Sequence, residues 1–289
     1  MCGRYASTKS PADLVLEFDI DRVSSVVEER PLPPDYNVAP TKDVYAVLER
    51  ADRDEPDVVT RRLTEVRWGL VPSWAKDVSI GNRMINARLE TAATKPSFRK
   101  AWASRRCLLP ADGYYEWYQP VGDAAGDQPV SEPGPAKGRK PKKPAKIPFY
   151  VRARDGGSLA MAGLYEIWRD ETKADDDSSR WLWSVTVLTT DAADDVGRIH
   201  ERMPLLVRSE AVGDWLDPRL EPGDGWERAD GTGPLQPAVP GILEAYPVST
   251  LVNNVANNSP ELIEPAADEP SLEDLPGSDT RAADRAAGS

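Results

Sequence analysis

The chain has 289 residues, 40% of them hydrophobic, which is room for one large domain or two small ones and enough apolar material for a packed core. Lys and Arg number 36 against 48 Asp and Glu, a formal net charge of −12; no apolar run approaches the ~20 residues of a membrane span or the apolar heart of a secretion signal, so neither a membrane protein nor an exported one is expected. Two cysteines and one histidine exclude a disulfide framework, a Cys-rich zinc site and any multi-histidine metal centre, and there is no phosphate loop or dinucleotide fingerprint, so neither metal nor cofactor is expected.

In chain order, residues 10–18 read as a helix that Ser10 caps and Pro11 opens. Residues 30–41 are Pro-rich and extended. Strands are predicted at 44–48 and 58–70, and a helix at 97–104. Residues 107–110 and 113–117 read as two strands about a turn. The stretch 119–147, rich in Pro, Gly, Lys and Ala with no apolar period, reads as a disordered surface insertion. Strands follow at 149–152, 159–168 and 181–190, the last two a hairpin across the acidic loop 169–180. Short helices are predicted at 191–199 and 210–216. Beyond 265 the chain is acidic and poor in apolar residues, and 266–289 is expected to be a disordered tail. The whole reads as α+β with mainly antiparallel strands.

Charge is unevenly spread. Residues 60–118 hold eleven Lys or Arg and five Asp or Glu, a balance of +6, whereas 265–289 hold six acids and two arginines, a balance of −4. An acidic protein can therefore present a basic face to a polyanion. Arginine outnumbers lysine 25 to 11, and with the many aspartates this points towards a salt-rich cytoplasm.

The distinctive chemistry is at the start. Removal of Met1 exposes Cys2 with both an α-amine, pKa roughly 7.7–8.0, and a thiol, pKa about 8.5. Such a 1,2-aminothiol condenses with an aldehyde: the amine gives a Schiff base, and the thiol then closes a five-membered thiazolidine. His200, the sole histidine, is the one side chain with an unperturbed pKa near neutrality. Glu116 lies among aromatic residues in Asp112-Gly113-Tyr114-Tyr115-Glu116-Trp117, where desolvation raises a carboxyl pKa. Asn86 can bond an amine or a sugar hydroxyl without adding charge. Each also has a plain structural reading: a chance cysteine, a hydrogen-bonded core histidine, a partner for a buried base, a turn asparagine.

Five blocks in order, MCGRYA, WGLVPSW (68–74), NARLET (86–91), RRCLLPADGYYEW (105–117) and IHERMP (199–204), resemble the SRAP family, the SOS-response-associated peptidases that shield abasic sites. The resemblance runs from Cys2 to about Pro265, through Asn253 and the PELIEP stretch (260–265). It implies a single SRAP domain over 1–265 with a barrel-like β core and a few peripheral helices. It further implies self-removal of Met1 and capture by Cys2 of the ring-opened aldehyde at an abasic site in single-stranded DNA. The product is a thiazolidine crosslink, with β-elimination of lyase type as a side reaction. Carried over by motif, Cys2 is the nucleophile, Asn86 and Glu116 position the amine and the sugar, and His200 is the acid/base group. Arg4, Arg88 and Arg202 match phosphate contacts, with Lys95, Arg99, Arg105 and Arg106 as basic neighbours. Trp68 and Trp74 match base-stacking or wedging residues, and Asn37, Pro40 and Thr189 match pocket-lining ones. A monomer acting in the cytoplasm at the nucleoid is the corresponding expectation. Two other readings fit parts of the sequence. One is an N-terminal-nucleophile glutaminase (amidotransferase), which also begins Met-Cys-Gly. The other is a non-enzymatic adaptor working through the Lys/Pro insertion or the acidic tail.

Overall fold

A computed structural model of the chain describes residues 2–52, 54–120, 144–192, 194–220 and 241–275. In chain order the elements are β1 Tyr5–Ser7, α1 Pro11–Glu17, β2 Arg22–Val23, α2 Ser25–Glu29, β3 Asp35–Val38, β4 Asp43–Ala51 and β5 Val59–Trp68. There follow β6 Asn86–Arg88, α3 Leu89–Ala92, α4 Arg99–Ser104, β7 Arg106–Ala111, β8 Gly113–Tyr118 and β9 Ile147–Ala153. The chain continues through β10 Leu159–Arg169, β11 Trp181–Asp191, β12 Arg202–Pro204, α5 Val212–Leu216 and β13 Leu243–Pro247.

Five strands close on themselves. β5, β4, β7, β10 and β11 pair antiparallel in that order, and β11 returns to β5 in parallel through Ser184 opposite Arg67 and Val185 opposite Trp68. β12 and β6 flank β11, antiparallel and parallel respectively, and a second sheet runs β13-β9-β8-β1-β3. The protein is thus a single α+β domain with a barrel core and mainly antiparallel pairing, as the sequence suggests, with parallel seams of β11 to β5 and β6 and of β2 to β5. The parallel contacts need long crossovers, which the local hydrophobic pattern cannot reveal.

Alternation along the strands explains why the ring closes with both faces covered. On β4, Val44, Ala46 and Leu48 join a cluster with Trp68, Cys107, Val185 and Val187, whereas Tyr45 and Val47 face a second cluster with Leu14, Phe18, Val27, Ala101 and Trp215 from the helices. Cys2 is fully buried in the first cluster. The N-terminus is therefore part of the main core rather than a free tail.

The capped helix forms as read: Ser10 and Asp13 complete a capping box on α1, with Pro11 at its first position. The hairpin of β10 and β11 pairs from Gly163 with Val187 to Arg169 with Trp181. The predicted helix at 191–199 is instead the end of β11 followed by a 3₁₀ turn, Asp194–Arg198. The central part of the predicted insertion, 121–143, lies outside the described residues, as do 276–289 of the tail. Residues 266–275 differ from expectation. Leu275 is 5% exposed and Leu272 packs beside it in the Cys2 cluster, while Arg198 donates to the Leu272 carbonyl at 3.4 Å. Two leucines, four and seven positions after Asp268, are enough to anchor the segment.

Candidate active site around Cys2

Two segments reach Cys2, and a third packs into the same core cluster. The first is the chain start: Tyr115 N donates to Arg4 O at 2.9 Å and Tyr5 pairs with Tyr114, so β8 runs antiparallel beside the N-terminus. Along β8 the side chains alternate. Tyr115 packs outward against Tyr150 and Val248, while Tyr114 and Tyr118 lie in the cluster that holds Cys2. Glu116, between Tyr114 and Tyr118 on that face, is 3% exposed. Burial pushes its carboxyl above the usual glutamate range. Burial first, and the Glu116 charge second, push the Cys2 thiol far above the ordinary value. The group is a thiol in this resting state, and its sulfur sits 4.0 Å from the Arg4 carbonyl.

The second segment carries Asn86. Its Nδ2 donates to the Cys2 carbonyl at 2.7 Å, and its Oδ1 is buried without a hydrogen-bond partner among the described residues. An orphaned buried acceptor next to Cys2 is a ready place for an amine N–H or a hydroxyl. Two glycines set this segment. Gly69 has φ +124°, and a Cβ there would lie 2.7 Å from Gly81 O, so the loops at 69 and 81 cross backbone on backbone. From that crossing Gly69 N bonds Val185 O, Leu70 N bonds Met84 O and Val187 N bonds Ile85 O, which delivers Asn86 onto β11 opposite Val187.

The third segment carries His200, half-buried between Ile199 and Met203, both in the Cys2 cluster. Its Nδ1 accepts from Arg202 N at 2.9 Å. Tyr114, not singled out in the sequence, belongs to the same neighbourhood. It is fully buried, its hydroxyl has no partner among the described residues, and burial, then the Cys2 and Glu116 charges, hold it above the phenol range. Its position two residues before Glu116 on a strand is the signal that places it on the same face.

The expected DNA contacts divide. Trp74 is 55% exposed and lines an open cleft of about 620 Å³ with Lys76, Asn82 and Arg83. Arg88, Lys95 and Arg99 are exposed. Trp68 is corrected: it is fully buried, donates from Nε1 to Ile85 O at 2.9 Å and sets its ring against Tyr5 at 5.2 Å, so it stacks on the core and not on a base. Arg202 is also corrected. It is 7% exposed, and its guanidinium is taken by Glu90, Asp191 and the Thr189 carbonyl. Arg4 is half-buried over the Trp117 ring and bonds Asn37 Oδ1 and Val252 O through one terminal nitrogen. Asn37, fully buried, holds the loop after Ser249 through the carbonyls of Val252, Asn254 and Asn257. Thr189 is buried with its hydroxyl 3.5 Å from Ala87 O, and half-buried Pro40 precedes Thr41, which has φ +76°. Arg105 pairs with Glu166, and buried Arg106 binds five carbonyls that include Trp215, Asp217 and Leu220, so both serve the fold. A lone arginine in a sequence carries no mark of whether a carboxylate will claim it. No group of three or more His, Cys, Asp or Glu side chains suited to a metal occurs among the described residues.

A closed mixed barrel flanked by a second sheet, with a buried cysteine at position 2 gripped by an asparagine and facing a buried glutamate, defines a thiol-bearing N-terminal site of one particular architecture. The sequence model of the SOS response associated peptidase (SRAP) family matches residues 1–255, and the chain belongs to that family. It is 37% identical over 264 residues to the abasic site processing protein YoqW of Bacillus subtilis (strain 168), which covers 91% of this chain and 99% of the relative. It is 32% identical over 238 residues to the abasic site processing protein HMCES of Gallus gallus, covering 80% of this chain and 66% of that one. A solved structure from Bacteroides thetaiotaomicron shares the fold at TM-score 0.66 and 23% identity, over 92% of this chain and all of the other.

Proposed function

We propose that this protein processes abasic sites in single-stranded DNA by covalent capture on Cys2. In this account hydrolysis of the Met1–Cys2 bond consumes one water and frees the Cys2 α-amine, the chain acting as its own peptidase. The lesion supplies a ring-opened sugar aldehyde. The amine adds to its carbonyl carbon and water leaves, giving a Schiff base; the Cys2 sulfur then bonds the same carbon while the thiol proton passes to nitrogen. The product is a thiazolidine, with one water lost overall. β-Elimination from the Schiff base is the competing lyase-type outcome.

The observation that carries this reading is the setting of Cys2: a buried cysteine at position 2 whose carbonyl is held by Asn86 and whose thiol feels the Glu116 charge, so that loss of Met1 would leave an aminothiol in that place. A thiol kept protonated suits an amine-first order, because the sulfur need only add to an imine already formed. Glu116, a carboxyl of raised pKa, can take and return a proton at the amine and the sugar oxygens. Asn86 Oδ1 accepts from the amine or a hydroxyl, and His200 assists opening and closing of the sugar ring. Trp74 stacks on a neighbouring base, worth roughly 1–3 kcal/mol and indifferent to sequence. Arg88, Lys95 and Arg99 face the phosphates. The protein acts as a monomer at DNA in the cytoplasm. The names of the relatives support the substrate class.

The test is incubation with an oligonucleotide bearing one abasic site, followed by a denaturing gel. Wild type gives a shifted band without added reductant, Cys2→Ala gives none, and Glu116→Gln and His200→Ala form it more slowly. A band of wild-type intensity from Cys2→Ala rejects the proposal.

A further inference from the structure

We propose that Glu90 is a positioning residue: by locking the Arg202 side chain it holds the Arg202 backbone N–H on His200 Nδ1 and so keeps the imidazole proton on Nε2. The inference deepens the proposed reaction and rests on it only for the effect on rate.

A ring nitrogen that accepts a hydrogen bond bears no proton, and a neutral imidazole has one proton to place. The 2.9 Å bond from Arg202 N to Nδ1 therefore fixes the Nε2–H form. That bond spans two residues where the chain enters β12, a strand of three residues that pairs with β11 and, among the described residues, with no other strand. So short an edge strand frays easily unless something else holds it.

Ala192 N bonds Glu201 O at 2.9 Å and Leu205 N bonds Leu188 O at 2.9 Å on either side, and the Arg202 guanidinium adds the side-chain tie. Nη1 meets Glu90 Oε1 and Asp191 Oδ1, both at 2.6 Å; Nη2 meets Glu90 Oε2 at 3.0 Å and Thr189 O at 2.5 Å. Arg202 is 8% exposed at its side chain, whereas Asp191 is 88% exposed and Glu90 48%. A forked carboxylate against a buried guanidinium is the stronger tie, and the exposed Asp191 contact contributes little. Arg202 accordingly holds the Glu90 carboxyl below its usual range.

Glu90 also reaches from the opposite side of the site. It lies in α3, directly after β6, and Thr189 on β11 pairs with Arg88 of β6 and with Pro204 of β12. The ion pair thus bridges the arm that carries Asn86 and the arm that carries His200. With Nδ1 committed, His200 meets an oxygen as a neutral Nε2–H donor; an imidazolium would turn two N–H groups against each other at Nδ1.

Because His200 is the only histidine, its ring nitrogens can be read without ambiguity in 15N-labelled full-length protein, free of DNA, in mildly alkaline buffer. Wild type is expected to show Nδ1 in the unprotonated range and Nε2 in the protonated range, and Glu90→Gln, which keeps one acceptor on the guanidinium and loses the other, to fall between wild type and Glu90→Ala. Glu90→Ala is expected to show averaged shifts and to crosslink about tenfold more slowly, part of the roughly 10²–10⁴ that a positioned proton-transfer group supplies. Non-covalent DNA affinity, measured in a Cys2→Ala background, is expected to change alike in Glu90→Gln and Glu90→Ala, which remove the same charge beside Arg88. A wild-type ring protonated on Nδ1, wild-type shifts in Glu90→Ala, or altered shifts with an unaltered rate each overturn the proposal. The spectra need neither DNA nor a processed Cys2, so failure of the tautomer and failure of covalent capture are separate results.

Discussion

Glu116 illustrates how this site opposes stability at single residues. A carboxyl whose pKa is raised by burial binds protons more readily folded than unfolded, so its contribution to stability falls as pH climbs from the ordinary glutamate value of about 4.3 through the folded one. Glu116→Gln removes that penalty. The variant is expected to melt higher than wild type at pH 8, with the advantage shrinking as pH falls towards 4, while crosslinking slows. Thermal melts across that range, on both proteins, check the sign; a wild type that is the more stable at pH 8 contradicts it. At this scale the sequence was informative where chemistry is rare and uninformative where it is common. An N-terminal cysteine and a lone histidine stand out in any chain. Arg202 and Arg106 look like surface cations until Glu90 and a set of helix-end carbonyls claim them, and those partners lie 112 and up to 114 residues away. Trp68 misled for a related reason, since a tryptophan reads alike whether its indole meets Tyr5 or a base.

Among the elements, the local ones were legible and the crossovers were not. The capping box of α1 and the β10–β11 hairpin rest on neighbours in sequence. The parallel seams of β11 with β5 and β6 rest on contacts about a hundred residues apart, and no periodicity announces them. Yet those seams carry Asn86 to Cys2, through the crossing of Gly69 and Gly81. Gly69→Ala forces a side chain into a left-handed conformation and onto Gly81 O. A loss of about 2 kcal/mol or more is expected in urea unfolding, together with slower crosslinking in whatever fraction stays folded. A variant as stable and as fast as wild type contradicts the role given to the crossing.

For the molecule as a whole, the family match ends at residue 255, whereas the core takes in Leu275. Ending the chain at residue 265 strips Leu272 and Leu275 from the Cys2 cluster. Full burial of a leucine is worth about 1.5–3 kcal/mol, offset in part by the ordering of the segment. A lower melting temperature is expected, by a few degrees, and an unchanged one assigns the segment no part in the core. The uneven charge gives a second prediction. Phosphate contacts weaken steeply with ionic strength, whereas a carbon–sulfur bond does not. Binding by Cys2→Ala should fall strongly between low and molar salt while the crosslink yield of wild type falls much less; equal losses contradict covalent retention.

The most direct measurement is the intact mass of the species formed when the protein meets an oligonucleotide with one abasic site, with no reductant added. The expected mass is that of the chain lacking Met1 plus that of the oligonucleotide, less one water, with attachment mapped to Cys2. An adduct that still carries Met1, or one joined through any other residue, contradicts it.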